Sequence, residues 1–148
     1  MFRGINALTI DGKGRFAIPT RYRESLGEHV VVTIDTEEPC LLLYPAKIWQ
    51  VIEDNLQRLP SFNPQARRIQ RLLIGHATDI ECDGNNRLLL PQLLRDYACL
   101  DKQVVMIGQG NKFELWDETH WQTRRTEWLN EETPADLGLP DEMKTFFL

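Results

Sequence analysis

Apolar and polar positions alternate over Ala7–Ile10 and again over Asp79–Cys82. A period of two predicts short, half-buried strands. Each stretch runs into Asp-Gly, a strong turn and hairpin signal. A second strand is predicted after each turn, over Arg15–Ile18 and Arg87–Leu90, stopping at Pro19 and Pro91. Proline starts a helix well because its missing N–H is not needed there. Short helices are therefore expected over Thr20–Leu26 and Gln92–Ala98. Apolar runs then predict buried strands at Val30–Ile34 and Val104–Ile107, and further strands at Cys40–Tyr44 and Phe113–Trp116. Helices over Ala46–Leu59 and Glu118–Leu129 close the two series. Between them, Asn63-Pro64 opens a linking helix, Gln65–Ile74. Its Ile69, Leu72 and Leu73 fall at helical spacing, which puts its arginines largely on the other face.

The two series are one pattern repeated. A shift of 72 residues lays Leu8-Thr9-Ile10-Asp11-Gly12-Lys13-Gly14-Arg15-Phe16-Ala17-Ile18-Pro19 on Ile80-Glu81-Cys82-Asp83-Gly84-Asn85-Asn86-Arg87-Leu88-Leu89-Leu90-Pro91. Arg23 then meets Arg95, Leu43-Tyr44 meets Leu115-Trp116, and Trp49-Gln50 meets Trp121-Gln122. The reading is a first unit over 1–60, a linking helix over 61–74, a second unit over 75–130 and an acidic tail over 131–148. Units of ~60 residues with such short strands bury too little core to stand alone. The expected fold is α+β. Two tandem β-rich units exchange strands and interlock into one β-barrel with an internal pseudo-two-fold axis and peripheral helices.

At 42% hydrophobic and 26% charged, the 148-residue chain reads as soluble and globular. No run approaches the ~18 apolar residues of a membrane span, and the first residues lack a signal peptide's apolar core. A cytoplasmic protein with no membrane partner is expected. Cys40, Cys82 and Cys99 form no CxxC pair, which argues against a disulfide framework or a cysteine zinc site. The net charge of −5 does not advertise nucleic acid, but its distribution does. Residues 1–27 carry five cations against Asp11 and Glu24, and Arg58, Arg67, Arg68 and Arg71 fall in a stretch without acids. Most of the cations are arginine, whose planar fork suits phosphates and guanine edges.

The repeated Asp-Gly-x-x-Arg element admits two compatible readings. In the structural one, Asp11 and Asp83 accept hydrogen bonds from turn N–H groups. Gly12 and Gly84 then supply a positive φ, and an internal Asp–Arg pair closes a hairpin. In the functional one, the same turn is a rigid arm that delivers Arg15 and Arg87 to DNA, with less entropy lost on binding. An aspartic dyad of Asp11 and Asp83 fits poorly. The usual Thr or Ser between Asp and Gly is missing, and an arginine four residues on keeps each carboxylate ionised. Asp79 to Gly84 half-matches a calcium loop, but the twelfth position is Leu90 rather than Glu. There is no phosphate-binding glycine loop and no G-x-S-x-G, and His29, His76 and His120 lack metal-ligand spacing. No enzymatic activity, cofactor or metal is expected. Trp49, Trp116, Trp121 and Trp128 read as core packing.

With Phe2-Arg3-Gly4 at the start, Asp11-Gly12-Lys13-Gly14-Arg15 leading to Ile18-Pro19, and Asp83-Gly84-x-x-Arg87 leading to Leu90-Pro91, the chain resembles the MraZ family. The likeness spans residue 1 to about residue 145. The wider group is similar to AbrB-like transcription factors, in which two chains each give one such unit to a DNA-binding barrel. The resemblance implies a sequence-specific regulator, usually a repressor, of its own division and cell-wall gene cluster. It also implies a ring-like homo-oligomer on repeated operator sites, resident at the nucleoid. Its partner is double-stranded promoter DNA upstream of that cluster. Carried over, Lys13, Arg15 and Arg87 touch DNA while Asp11, Gly12, Asp83 and Gly84 support the turns. The alternative is an antitoxin-like or assembly module without enzymatic activity, since AbrB-type barrels also serve as antitoxins. Apolar Phe2, Ile5 and Phe146-Phe147-Leu148, with the linker arginines, are expected to favour self-association.

Overall fold

The structure is a computed structural model that describes residues 1–131. Elements follow the doubled order read from the pattern. The first copy gives β1 (Ile5–Thr9), β2 (Arg15–Ala17), α1 (Thr20–Leu26), β3 (His29–Ile34), β4 (Leu41–Pro45) and α2 (Ala46–Gln57). The linking helix is α3 (Pro64–His76). The second copy gives β5 (Thr78–Glu81), β6 (Arg87–Leu89), α4 (Gln92–Tyr97), β7 (Gln103–Gly108), β8 (Phe113–Asp117) and α5 (Glu118–Asn130). Pro19, Pro45 and Pro91 precede α1, α2 and α4, each in extended backbone that turns directly into helix. Asn63 caps α3, its Oδ1 accepting from the Gln65 and Ala66 amides at 2.9 and 3.2 Å.

The strands exchange partners between copies. A six-stranded sheet runs β1-β7-β8-β4-β3-β5, and a two-stranded ribbon joins β2 to β6. All the ladders are antiparallel. Four of them, β1 with β7, β3 with β5, β2 with β6 and β4 with β8, cross from one copy to the other. This departs from the expected hairpin. Asp11 N–H reaches Arg15 O and so closes the turn, yet β1 and β2 then part, one into the sheet and the other into the ribbon. The expected closed barrel is not formed either. Among the described residues no ladder joins the sheet edges β1 and β5, and the three-residue strands β2 and β6 pair only with each other. The ribbon, lengthened at its two ends by Ile18 N–H to Asn86 O and Leu90 N–H to Gly14 O, instead packs its apolar side on the sheet's inner face.

Alternation then sorts the side chains. Val30, Val32 and Ile34 of β3 face inward with Phe16, Ile18, Leu88 and Leu90, all 2% exposed or less. Val31, between them, faces outward with Leu42, Tyr44 and Trp49, where α2 and α3 add Ile52, Leu56 and Leu73. β3 is buried on both faces, so its run is continuously apolar instead of alternating. Thr33, the one buried polar residue in the strand, donates from Oγ1 to Leu73 O of α3 at 2.7 Å.

Phe2, expected from the sequence to be covered by self-association, is buried within the chain itself. Its ring lies 4.5 Å from that of Phe113, and Tyr22 packs edge-on to both while donating its hydroxyl to Arg3 O at 2.6 Å. A Cβ on Gly108 would come within 2.4 Å of Arg3 N, so only glycine admits the N-terminal segment beside β7. Ile5 remains 57% exposed. Of the tryptophans, Trp49 and Trp116 are core residues as expected, but Trp121 is half-buried and Trp128 is 38% exposed. Within α5 their rings meet edge-on at 6.1 Å, and the Arg124 guanidinium lies over Trp128 at 4.7 Å. Phe146-Phe147-Leu148 and nearly all of the acidic tail lie outside the described residues.

Candidate nucleic-acid interface

The two Asp-Gly turns fold alike. Asp11 Oδ1 accepts the amides of Lys13 and Arg15, each at 2.9 Å, and its Oδ2 accepts Arg15 Nε at 2.8 Å. Asp83 Oδ1 accepts the amides of Asn85 and Arg87 at 2.8 and 2.9 Å, and its Oδ2 accepts Arg87 Nε at 3.0 Å. One carboxylate thus organises the loop and aims the arginine. The bond uses Nε, and among the described residues no hydrogen bond engages the terminal nitrogens of either guanidinium. That end is the fork that grips two acceptors at once.

These bonds hold both carboxylates ionised. Asp11 is lowered from 3.8 to about 2, chiefly by the Arg15 amide, opposed by partial desolvation and helped by the Arg15 side chain and the Lys13 amide. Asp83 is lowered as well, chiefly by the Arg87 amide. The main cause is therefore the backbone, with the arginine charge that the sequence pointed to a smaller contribution.

The position needing positive φ is not Gly12 or Gly84. It is Gly14 at φ +91° and its counterpart Asn86 at φ 57°, three residues after each Asp. The Asp side chain already fixes the first half of each turn, so the reversal falls just before the arginine. Asn tolerates this backbone because its short polar side chain fits the left-handed region. Gly12 and Gly84 have open space where a Cβ would stand.

Each turn is also braced by an arginine that sequence reading noted only as part of the repeat. Arg95 of α4 donates from Nε to Leu90 O at 3.0 Å, and Arg23 of α1 donates to Ile18 O at the same distance. A Cβ at Gly14 would lie 2.7 Å from Arg95 Cζ, so the second copy's arginine packs against the first copy's turn. Arg23 and Asn86 line the corresponding cleft on the other side. The signal available was the arginine four residues after Pro19 and Pro91 in both copies.

The ribbon brings the two arginines onto one surface. Arg15 stands opposite Leu89, Phe16 opposite Leu88, and Ala17 opposite Arg87. Phe16 and Leu88 point into the core at 1% and 0% exposure, so the flanking positions all point outward. Arg15 and Arg87 are diagonal neighbours there, a spacing of about 7–8 Å between Cα atoms. Lys13 is exposed at the first turn, with Asn85 in its place at the second.

A profile of the family described as "MraZ protein, putative antitoxin-like" matches residues 1–72 and again 73–136. Relatives named "Transcriptional regulator MraZ" align over the full length of both chains. They are 68% identical in Legionella pneumophila (strain Paris), 56% in Alkalilimnicola ehrlichii and 52% in Coxiella burnetii (strain RSA 493). The chain belongs to the MraZ family.

Each of the two MraZ matches carries one Asp-Gly-x-x-Arg turn and one ribbon strand. The α3 arginines do not join this MraZ surface. Arg67, Arg68 and Arg71 are exposed on a helix that packs against the sheet's outer face, whereas the ribbon covers the inner one. Two groups bring potential metal ligands within 4.8 Å of one another: exposed Glu28, His29 and Glu81, and Asp35, Cys40 and Glu114. In the second, burial pushes up both the Cys40 thiol and the Glu114 carboxyl, and Trp116 Nε1 donates to Glu114 at 2.9 Å. No helix among the described residues is long and apolar enough to cross a membrane.

Proposed function

We propose that the chain is a sequence-specific, double-stranded-DNA-binding regulator of transcription; its curated relatives are named transcriptional regulators. One observation carries the reading. Two carboxylate-braced turns of the same hydrogen-bond pattern place Arg15 and Arg87, both half-buried, on one face of a two-stranded ribbon, their Nε atoms held by the aspartates. The major groove admits such a ribbon, and arginine grips guanine O6 and N7 bidentately. Lys13 supplies a phosphate contact beside the first fork. The copies read at 1–60 and 75–130, joined across 61–74, act together through their exchanged strands, with the ribbon as the reading element. Repression of its own division and cell-wall gene cluster, at the nucleoid, completes the role. With a chain of net charge −5 and few cations per ribbon, affinity comes from a ring-like homo-oligomer on consecutive operator repeats. These residues bind rather than catalyse: each aspartate is committed to its own turn and arginine.

A mobility shift on the DNA upstream of the gene tests this. The wild-type chain is expected to retard that duplex over unrelated DNA, and Arg15→Ala to abolish the preference while remaining folded. Equal binding by folded Arg15→Ala overturns the assignment. The matched family's antitoxin-like description favours a second reading, a module that neutralises a toxin encoded beside it. Co-purification of such a neighbour, with no preference for upstream DNA, would select it.

A further inference from the structure

The outward face of the ribbon carries one residue that the DNA-reading role does not yet use. Leu89 is 53% exposed, although Leu88 and Leu90 on either side of it are buried. A single exposed leucine is ordinary. This one stands directly across the ribbon from Arg15, on the face that also bears Arg87. Opposite residues on a ladder hold their Cβ atoms about 4.5–5.5 Å apart, so the Leu89 side chain shares the reach of the Arg15 fork. The pseudo-two-fold axis passes between Phe16 and Leu88 and relates Leu89 to Ala17, the partner of Arg87. One corner of the reading face is thus arginine with leucine and the other arginine with alanine.

We infer that Leu89 is a specificity-determining residue that packs on the C5-methyl group of a thymine next to the base gripped by Arg15. The inference rests on the DNA-binding role proposed above. The thymine methyl is the apolar group on the major-groove edge, and cytosine offers only a C–H at that position. A branched apolar side chain held between two charged forks has no hydrogen-bonding use there. It discriminates by excluding water from that methyl. Ala17 reaches less far, so the Arg87 corner lacks the same thymine preference. The two corners therefore differ, and an internally symmetric protein sits on DNA in one orientation.

The test uses the full-length chain and its footprinted duplex, with each thymine replaced in turn by deoxyuridine, which lacks only the methyl. Wild type is expected to lose about fourfold in affinity per engaged site at one position, the effect of one buried carbon. Leu89→Ala is expected to bind the unmodified duplex about as weakly as wild type binds the substituted one, and to be indifferent to the substitution. Leu89→Met keeps the sensitivity, and Ala17→Leu creates a new one at the other corner. No sensitive position in wild type, or unchanged sensitivity in Leu89→Ala, overturns the inference while leaving DNA binding intact. A changed oligomer size in Leu89→Ala with the methyl effect retained assigns Leu89 to self-association and also overturns it. A wild-type chain with no preferred duplex overturns this inference and the DNA-binding role together.

Discussion

The first and second turns share a backbone and differ in what surrounds it. Both aspartates accept the same three N–H groups, and both arginines leave by Nε. At the first turn the left-handed residue is Gly14, covered by Arg95, with Lys13 beside it. At the second it is Asn86, with Asn85 in place of the lysine and the acids Asp79 and Glu81 just upstream. The geometry of the proposed DNA-reading turn is thus held by one carboxylate that accepts three N–H groups, leaving the residues between free to set its charge. The local balance of charge therefore favours phosphate more at the first turn than at the second.

The largest test of that contrast is Arg15→Ala against Arg87→Ala. Loss of a bidentate base contact costs about 1–3 kcal/mol per engaged site, and several sites in one assembly multiply it. Arg15→Ala should abolish the mobility shift, whereas Arg87→Ala should weaken it. Equal losses would make the turns equivalent in binding as well as in shape.

Gly14→Ala comes next and is read by thermal melting. The new Cβ forces a positive φ on a residue that avoids it and meets the Arg95 guanidinium, a cost of about 1–2 kcal/mol. Asn86→Gly relaxes the corresponding strain and should change the midpoint little. A smaller effect attaches to charge. Lys13→Ala should lower the slope of log K against log salt by about one and weaken all sequences alike, and Asn85→Lys should raise that slope by as much.

The smallest effect is on pH. Asp11 is lowered in the folded chain from 3.8 to about 2, so its contribution is complete above pH ~4 and is lost as pH falls through about 2. Carboxyl NMR titration should place Asp11 well below the ordinary range and show Asp83 shifted the same way. An ordinary midpoint for either would mean that its turn is open in solution.

Much of this arrangement was legible in the sequence because it is local. The Asp-Gly-x-x-Arg spacing fixes an i to i+4 bond, and Pro19, Pro45 and Pro91 mark helix starts wherever they occur. What stayed hidden depends on partners far along the chain. Nothing in Arg15-Phe16-Ala17 states that its ladder is Arg87-Leu88-Leu89, so a hairpin and a closed barrel were the natural expectations. The positive φ went to Gly12 by the Asp-Gly hairpin rule, whereas the bonds from the Asp11 carboxylate to the Lys13 and Arg15 amides shape a different local turn and put it at Gly14. Phe2 read as a self-association residue because its cover within the chain, Phe113 and Tyr22, comes from both copies.

The strand exchange has a consequence for the newborn chain. At about 5–20 residues per second, a ribosome needs roughly 4–15 s to add the 72 residues that separate a position from its repeat. Throughout that interval β4, apolar on both faces, lacks β8 to complete its ladder, while β3 waits a shorter time for β5. Two nascent chains on neighbouring ribosomes can supply each other's missing halves, because the second copy of any molecule fits the first copy of any other. Fidelity of assembly therefore depends on α3 delivering its own second copy before a stranger's arrives. A short, well-capped connector keeps the local concentration of the right partner in the millimolar range.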